Sequence, residues 1–162
     1  MAHEFKLTRR IEFFETDLAG IVHFSNFYRM MESTEHAFFR SLQLANHGQL
    51  PGLVTGWPRV HATCNFLAPL RFEDEVDILL TVAELRTSSI RYTFQFRKTL
   101  DQTPVAHGEV VAVCAIVDRS TGHLQSQPIP PPIRNAIQAA ITSSTSETLQ
   151  VNPDDHQHQN HI

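Results

Sequence analysis

Sixteen residues near the N-terminus, Phe13 to Tyr28 (FFETDLAGIVHFSNFY), combine an acid, a glycine and the start of a helical pattern at spacings that chemistry can use. Asp17 falls in a short loop after a strand pattern, and Gly20 precedes the helix. The first N–H groups of a helix have no intrahelical acceptor and lie at the positive end of its dipole, so a developing negative charge is stabilised there. A carboxylate beside such a site can attack a carbonyl carbon or activate a water while the amides hold the oxyanion. Spacing alone leaves Asp17 equally well read as a plain loop or capping carboxylate.

The remaining candidates for chemistry are weaker. His61 and His107 lie in strand patterns without partners at metal-ligand spacing, so both read as satisfied sheet histidines and no metal is expected. His156, His158 and His161 sit in a polar tail that offers a metal no rigid frame. Cys64 and Cys114 lack CxxC spacing and read as small buried strand residues.

The elements that must position the Asp17 segment follow from periodicity. Phe24, Phe27, Met31, Phe38, Leu42 and Ala45 recur at intervals of three, four or seven, which predicts one helix over Ser25–Asn46, about 33 Å long at ~1.5 Å per residue. Ser25 or Asn26 can cap its start, and Asn46 to Gly48 supply an ending. Period-two alternation predicts half-buried strands through Phe5, Leu7, Ile11 and Phe13, then Val60 to Phe66, Val76 to Val82 and Ile90 to Phe96. Val110 to Val117 is a continuous apolar run that suits a central strand covered on both faces. One long helix after the first strand, followed by four longer antiparallel strands, makes a sheet curled around a helix. Its free edges and broad outer face suit pairing with a second copy.

Composition limits the partners. The chain has 162 residues, 41% hydrophobic and 19% charged, consistent with one globular core, and no apolar run approaches the length of a membrane span. Its 13 basic and 17 acidic residues give a net charge of -4, with no basic run to track a phosphate backbone, so nucleic acid is not an expected partner. The charged, alternating N-terminus carries no signal-peptide stretch, which predicts a cytoplasmic protein. The body is expected to form one domain over residues 1–141, followed by a disordered polar tail over 142–162.

Phe14, Thr16, Asp17, Gly20, Ile21, Val22, Phe24, Asn26 and Phe27 together resemble the signature of the hotdog-fold acyl-CoA thioesterases of the 4-hydroxybenzoyl-CoA thioesterase type, including the YbgC-like branch. The similarity continues through CNFLAPLRFEDEVDI at 64–78, ELRTSSIRYTFQF at 84–96 and the segment 107–130, about 130 residues in the same order. It implies an α+β hotdog fold, a curved antiparallel sheet of about five strands wrapped around one long helix. It also implies hydrolysis of an acyl-CoA in which Asp17 is general base or nucleophile and the backbone N–H of Phe24 polarises the thioester carbonyl. Gly20 would let the loop bring its backbone against the thioester. The family places its site at the interface of a homodimer or homotetramer, with the pantetheine arm running along the other subunit near Ser88, Ser89 and Ile90. Glu32 matches an acidic position near the acyl pocket or the interface, and is equally an ordinary helix-surface carboxylate. Arg86 and Arg91 flank a turn and can meet coenzyme A phosphates. Coenzyme A is part of the substrate, so no separate cofactor is implied.

The chain departs from the family at two positions. Histidine precedes the aromatic here, His23 then Phe24, so a proton-shuttling histidine at position 24 is missing and the mechanism rests more heavily on Asp17. His36 stands where the family commonly has an arginine, which alters the ion pairing of Glu32. His23 itself either approaches the thioester or packs at the helix start. A hotdog-type enoyl-CoA hydratase would pair Asp17 with His23, but the Asn-Pro it places between them is missing. A non-catalytic acyl-CoA or acyl-carrier binding module would have no need of the intact Asp17 and Gly20.

Overall fold

The computed structural model describes residues 4–44, 49–50, 53–143 and 148–150. The first strand, β1 (Glu4–Arg10), leads through a 3₁₀ turn (Phe13–Glu15) and a short loop into α1 (Phe24–Ser41). Then come β2 (Gln49–Leu50), β3 (Leu53–Gly56), β4 (Arg59–Phe66), β5 (Glu75–Leu85), β6 (Ser89–Lys98) and β7 (Pro104–Val113). The chain continues with β8 (Ala115–Asp118), β9 (Leu124–Ser126), α2 (Pro131–Thr142) and β10 (Thr148–Gln150). Five strands pair antiparallel in the order β1-β5-β6-β7-β4, with β10 added parallel to β1, while β2, β3, β8 and β9 form a second sheet. None of the helices among these residues is long and apolar enough to cross a membrane.

Alternation on β6 sets the inner face of the main sheet. Ile90, Tyr92, Phe94 and Phe96 are buried, and Tyr92 pairs between Val82 and Val110 while Phe96 pairs between Ile78 and Ala106. Each such side chain contributes about 1.5–3 kcal/mol of burial. The helix α1 lies against this face. Phe27 contacts the rings of Phe66 and Phe96 at 5.1 and 5.3 Å, and Phe38 meets Phe5 at 5.7 Å. The helix sits close because β7 carries Gly108, where an added Cβ would lie 2.1 Å from Met31 Cε and 2.8 Å from the carbonyl oxygen of Thr63. This is the expected sheet curled around a helix.

Several local expectations change. The long helix is Phe24–Ser41 instead of Ser25–Asn46, because Gln43 turns left-handed at φ 59°. Gln43 N–H then bonds the carbonyl of Arg40 and Leu44 N–H that of Phe39, which closes the last turn before position 45. The expected ending, Asn46 to Gly48, lies outside the described residues. The run Val110–Val117 is not one central strand: it breaks at Cys114, whose N–H bonds Ser88, and passes from β7 to β8 in the other sheet. Phe13 is in the 3₁₀ turn and exposed, not on a strand face. A second helix, α2, buries Ile133, Ile137 and Ala140 where none was expected. Cys114 is buried as expected, but Cys64 is only half-buried on the edge strand β4, and its burial pushes the thiol up to about 11. Within the expected tail, 148–150 form β10; His156, His158 and His161 lie outside the described residues.

Candidate active site

The Asp17 loop is a closed turn. Thr16 bridges to Val22, the N–H of Asp17 donates to the carbonyl of Ile21 at 2.9 Å, and Gly20 N–H donates back to the carbonyl of Asp17 at 2.9 Å. Gly20 closes it at φ 73°, a conformation that side-chain-bearing residues adopt at a cost. Asp17 is exposed, and its Oδ1 accepts the N–H of Ala19 at 2.8 Å, which orients the carboxylate.

Glu15 fastens this loop to the helix. Its carbonyl accepts both the N–H of His23 at 2.9 Å and the side-chain amide of Asn26 at 2.7 Å. Its own carboxylate is buried and takes hydrogen bonds from Arg9 at 2.7 Å and from the N–H of Glu12 at 2.8 Å. Val22 N–H, on the return side, is held by the carbonyl of Leu70 at 2.8 Å. Sequence reasoning passed over Glu15, whose part in the loop runs through its backbone carbonyl and so leaves no mark in the residue type.

His23, rather than Ser25 or Asn26, caps α1: its Nδ1 accepts the N–H of Ser25 at 3.3 Å and lies 2.8 Å from Ser25 Oγ. The backbone N–H of Phe24, first residue of the helix, has no acceptor among the described residues. A free donor at the positive end of an 18-residue helix, fastened to a loop that carries a carboxylate, is the arrangement that stabilises an oxyanion. Around it stand exposed apolar side chains: Phe13, Phe14 (82% exposed), Leu18, Phe24, Phe66, Leu67 and Phe72. Apolar clusters of this kind mark surfaces that something covers.

A cleft of about 250 Å³ opens between α1 and the edge strand, lined by Tyr28, Arg29, Met31, Glu32, Glu35, Arg59, Ala62 and Val110. Glu32 is exposed and lines it, and His36 is exposed one turn further along. Glu35, missed in the sequence, is buried and paired with Arg59, which reaches it from the start of β4. Burial pushes the Glu35 carboxyl up to about 7, aided by the charge of Glu32 and opposed by Arg59.

The structure does not bring Ser88, Ser89 and Ile90 to the Asp17 loop of their own protomer. The helix start sits over Phe96, while Ile90 is six residues away along β6, about 20 Å at ~3.3 Å per residue. Ile90 is fully buried, so its side chain faces the core and only its backbone is available to a ligand. Arg91 is already paired with Glu109 and Glu84, and Arg86 with Glu84 at 2.8 Å, so both guanidinium groups have carboxylate partners.

A family model described as "Thioesterase-like superfamily" matches residues 11–140. A 1,4-dihydroxy-2-naphthoyl-CoA hydrolase of Synechococcus sp. (strain WH7803) is 28% identical over 149 residues, 88% of this chain and 94% of its own length. Curated relatives are matched over 65% to 94% of their lengths. Among solved structures, a gentisyl-coenzyme A thioesterase is 31% identical with a TM-score of 0.67, covering 82% of this chain and 98% of that one. A variant 4-hydroxybenzoyl-CoA thioesterase complexed with 4-hydroxybenzoyl-CoA shares the hotdog fold at 22% identity and a TM-score of 0.71, over 84% of this chain and 99% of that one. With most of its body matched by the family model, and the same fold in these enzymes, this chain belongs to the thioesterase-like superfamily.

Proposed function

We propose that this protein is an acyl-CoA thioesterase, hydrolysing its substrate to a carboxylic acid and free coenzyme A with Asp17 and the N–H of Phe24 as its working groups. The thioester carbonyl oxygen takes the hydrogen bond from Phe24 N–H as it gains negative charge. Either the Asp17 carboxylate attacks the carbonyl carbon and expels the coenzyme A thiolate, leaving a mixed anhydride that water hydrolyses to the acid and free Asp17, or it removes a proton from the water that attacks; in both routes the departing thiolate takes up a proton. The observation that carries this reading is the fastening of the Asp17 turn to the unengaged N–H of Phe24 through the carbonyl of Glu15. No cofactor beyond the substrate's own coenzyme A enters the mechanism, and a cytoplasmic site of action suits that substrate.

The working unit we propose is at least a homodimer. The exposed apolar side chains around the helix start, the outer edge of β4, which no strand among the described residues pairs, and the distance between the Asp17 loop and Ser88–Ile90 all favour a site completed by a second copy. In that assembly Ser88, Ser89 and the Ile90 backbone of one protomer face the Asp17 loop of the other. The test is thiol release across a panel of aliphatic and aromatic acyl-CoA substrates, with Asp17→Asn run in parallel. Thiol release in the parent and its loss in Asp17→Asn are expected; a folded parent protein that releases thiol from none of the panel overturns the reading.

A further inference from the structure

The turn at 86–89, between β5 and β6, lies under a positive charge that no acid neutralises. Its backbone is fixed by the elements around it. Arg86 N–H donates to the carbonyl of Ser89 at 2.9 Å, and the carbonyls of Thr87 and Ser88 accept the N–H groups of Ile129 and Cys114, both at 2.8 Å. Arg134, the fourth residue of α2, donates from Nη2 to the carbonyl of Arg86. Helical side chains lean toward the N-terminus, which carries this guanidinium back over the turn. It is half-buried and has no carboxylate partner among the described residues, whereas Arg86 and Arg91 are held by Glu84 and Glu109. The first turn of α2 carries no acid either, and its Pro131 and Pro132 have no N–H to offer. A ligand at this corner is therefore met by side chains. Those available are the other guanidinium N–H groups of Arg134 and the hydroxyls of Ser88 and Ser89, both half-buried and without a hydrogen-bond partner among the described residues. A guanidinium with free donors and no neutralising acid suits a phosphate group.

We infer that Arg134 binds the diphosphate of coenzyme A and so anchors the carrier half of the substrate. This inference rests on the acyl-CoA reading and adds the residue that recognises the thiol carrier. It moves to Arg134 the phosphate contact expected of Arg86 and Arg91. Order along the ligand selects the diphosphate: it follows directly on the pantetheine arm, which in the proposed dimer passes Ser88 and Ser89, whereas the 3′-phosphate lies beyond it on the ribose. Charge selects Arg134. At Arg86 or Arg91 an incoming phosphate has to share its cation with Glu84, whose carboxylate repels it, while at Arg134 no acid has to be displaced. The carbonyl of Arg86 already takes one guanidinium N–H and so orients the others before the ligand arrives. The work is then divided between copies: Asp17 and Phe24 N–H of one protomer act on a thioester whose carrier is held by Arg134 of the other.

The test measures binding of coenzyme A, dephospho-coenzyme A and pantetheine to the full chain by calorimetry. Dephospho-coenzyme A keeps the diphosphate and lacks the 3′-phosphate, and pantetheine lacks both. In Arg134→Gln the first two are expected to lose at least ~10-fold in affinity while pantetheine binds as before. Arg134→Lys, which keeps the charge without the planar fork, should lose less. Unchanged affinities in the folded Arg134→Gln protein, a loss shared equally by pantetheine, a loss confined to coenzyme A, or no binding of coenzyme A by the parent overturns the inference. Should Arg134→Gln fold poorly, Arg134→Lys decides: an unchanged ratio of coenzyme A to pantetheine affinity there overturns it as well. None of these probes is a thioester, so the outcome is separate from turnover. Coenzyme A binding that depends on Arg134, without thiol release from any acyl-CoA, would remove the proposed reaction and leave the phosphate contact standing.

Discussion

The side-chain amide of Asn26 donates to the carbonyl of Glu15 at 2.7 Å, and the same oxygen accepts the N–H of His23. Helix start and loop therefore hang from one acceptor. Asn26→Ala is expected to cost about 1 kcal/mol of stability and to lower kcat more than it changes KM, since it loosens the placement of Phe24 N–H against Asp17. Thermal melts and steady-state kinetics together check this. An unchanged kcat would reduce Asn26 to a purely structural role.

Asp17→Asn keeps the shape of the side chain and its acceptor for Ala19 N–H but removes the charge. Turnover should fall by at least ~10², while the melting temperature hardly moves. Near-normal turnover in the folded variant would remove Asp17 from the mechanism.

Gly20 and Phe24 separate backbone from side chain. A Cβ at Gly20 meets nothing within 4 Å, so Gly20→Val acts through its φ of 73° and not through crowding, at a cost on the order of 1–3 kcal/mol. The turn should relax and kcat should drop. Phe24→Ala leaves the donor amide in place and should mainly raise KM. If Gly20→Val retained full kcat, the oxyanion would have to be held elsewhere.

Glu35 gives stability a pH dependence of defined sign. Its folded-state carboxyl stands at about 7 against an ordinary 4.5, under burial and Glu32, with Arg59 opposing and the Tyr92 hydroxyl nearby. The folded state thus holds its proton where the unfolded chain has released it. Between about pH 4.5 and 7 stability falls as pH rises, by up to about 3 kcal/mol, and levels off above. Denaturant melts of the parent and of Glu35→Gln across this range should diverge with rising pH. Parallel curves would show that the carboxyl ionises normally in the fold.

Sedimentation at micromolar concentration should contain no appreciable 18.4 kDa species. Phe66→Lys, placing a charge among the exposed apolar residues near the helix start, should release protomers and cut activity together. A fully active protomer would contradict a site shared between copies.

The local structure around the candidate site, a loop leading into a helix start, was legible in the sequence, because an acid, a glycine and the onset of helical spacing are properties of a few consecutive residues. The placement of Asp17 and Gly20 in a loop before the helix is in this group, and so is the alternation of β6; the helix begins at Phe24, one residue before the start its spacing predicts. Glu15 acts through its carbonyl, which has no residue-type signature. Glu35 carries no local signal of its own, because its partner Arg59 is 24 positions away and meets it only in the fold. The start of α2 is masked by its prolines: Pro131 opens the helix, where a missing N–H costs nothing, and Ile133, Ile137 and Ala140 follow at helical spacing. The break at Cys114 lies within an apolar run whose composition does not change there.

The seating of Met31 on Gly108 has an evolutionary reading. Of the two atoms a Cβ at 108 would strike, one is the end of a flexible thioether and the other the backbone oxygen of Thr63. Trimming position 31 relieves only the first. Sequence drift is therefore open at 31, where side chains of other lengths can be exchanged, and closed at 108, where no compensating change at 31 moves the neighbouring strand. Among relatives with this helix depth, glycine at 108 should persist while 31 varies, and a lineage that lost the glycine would have had to shift its edge strand first.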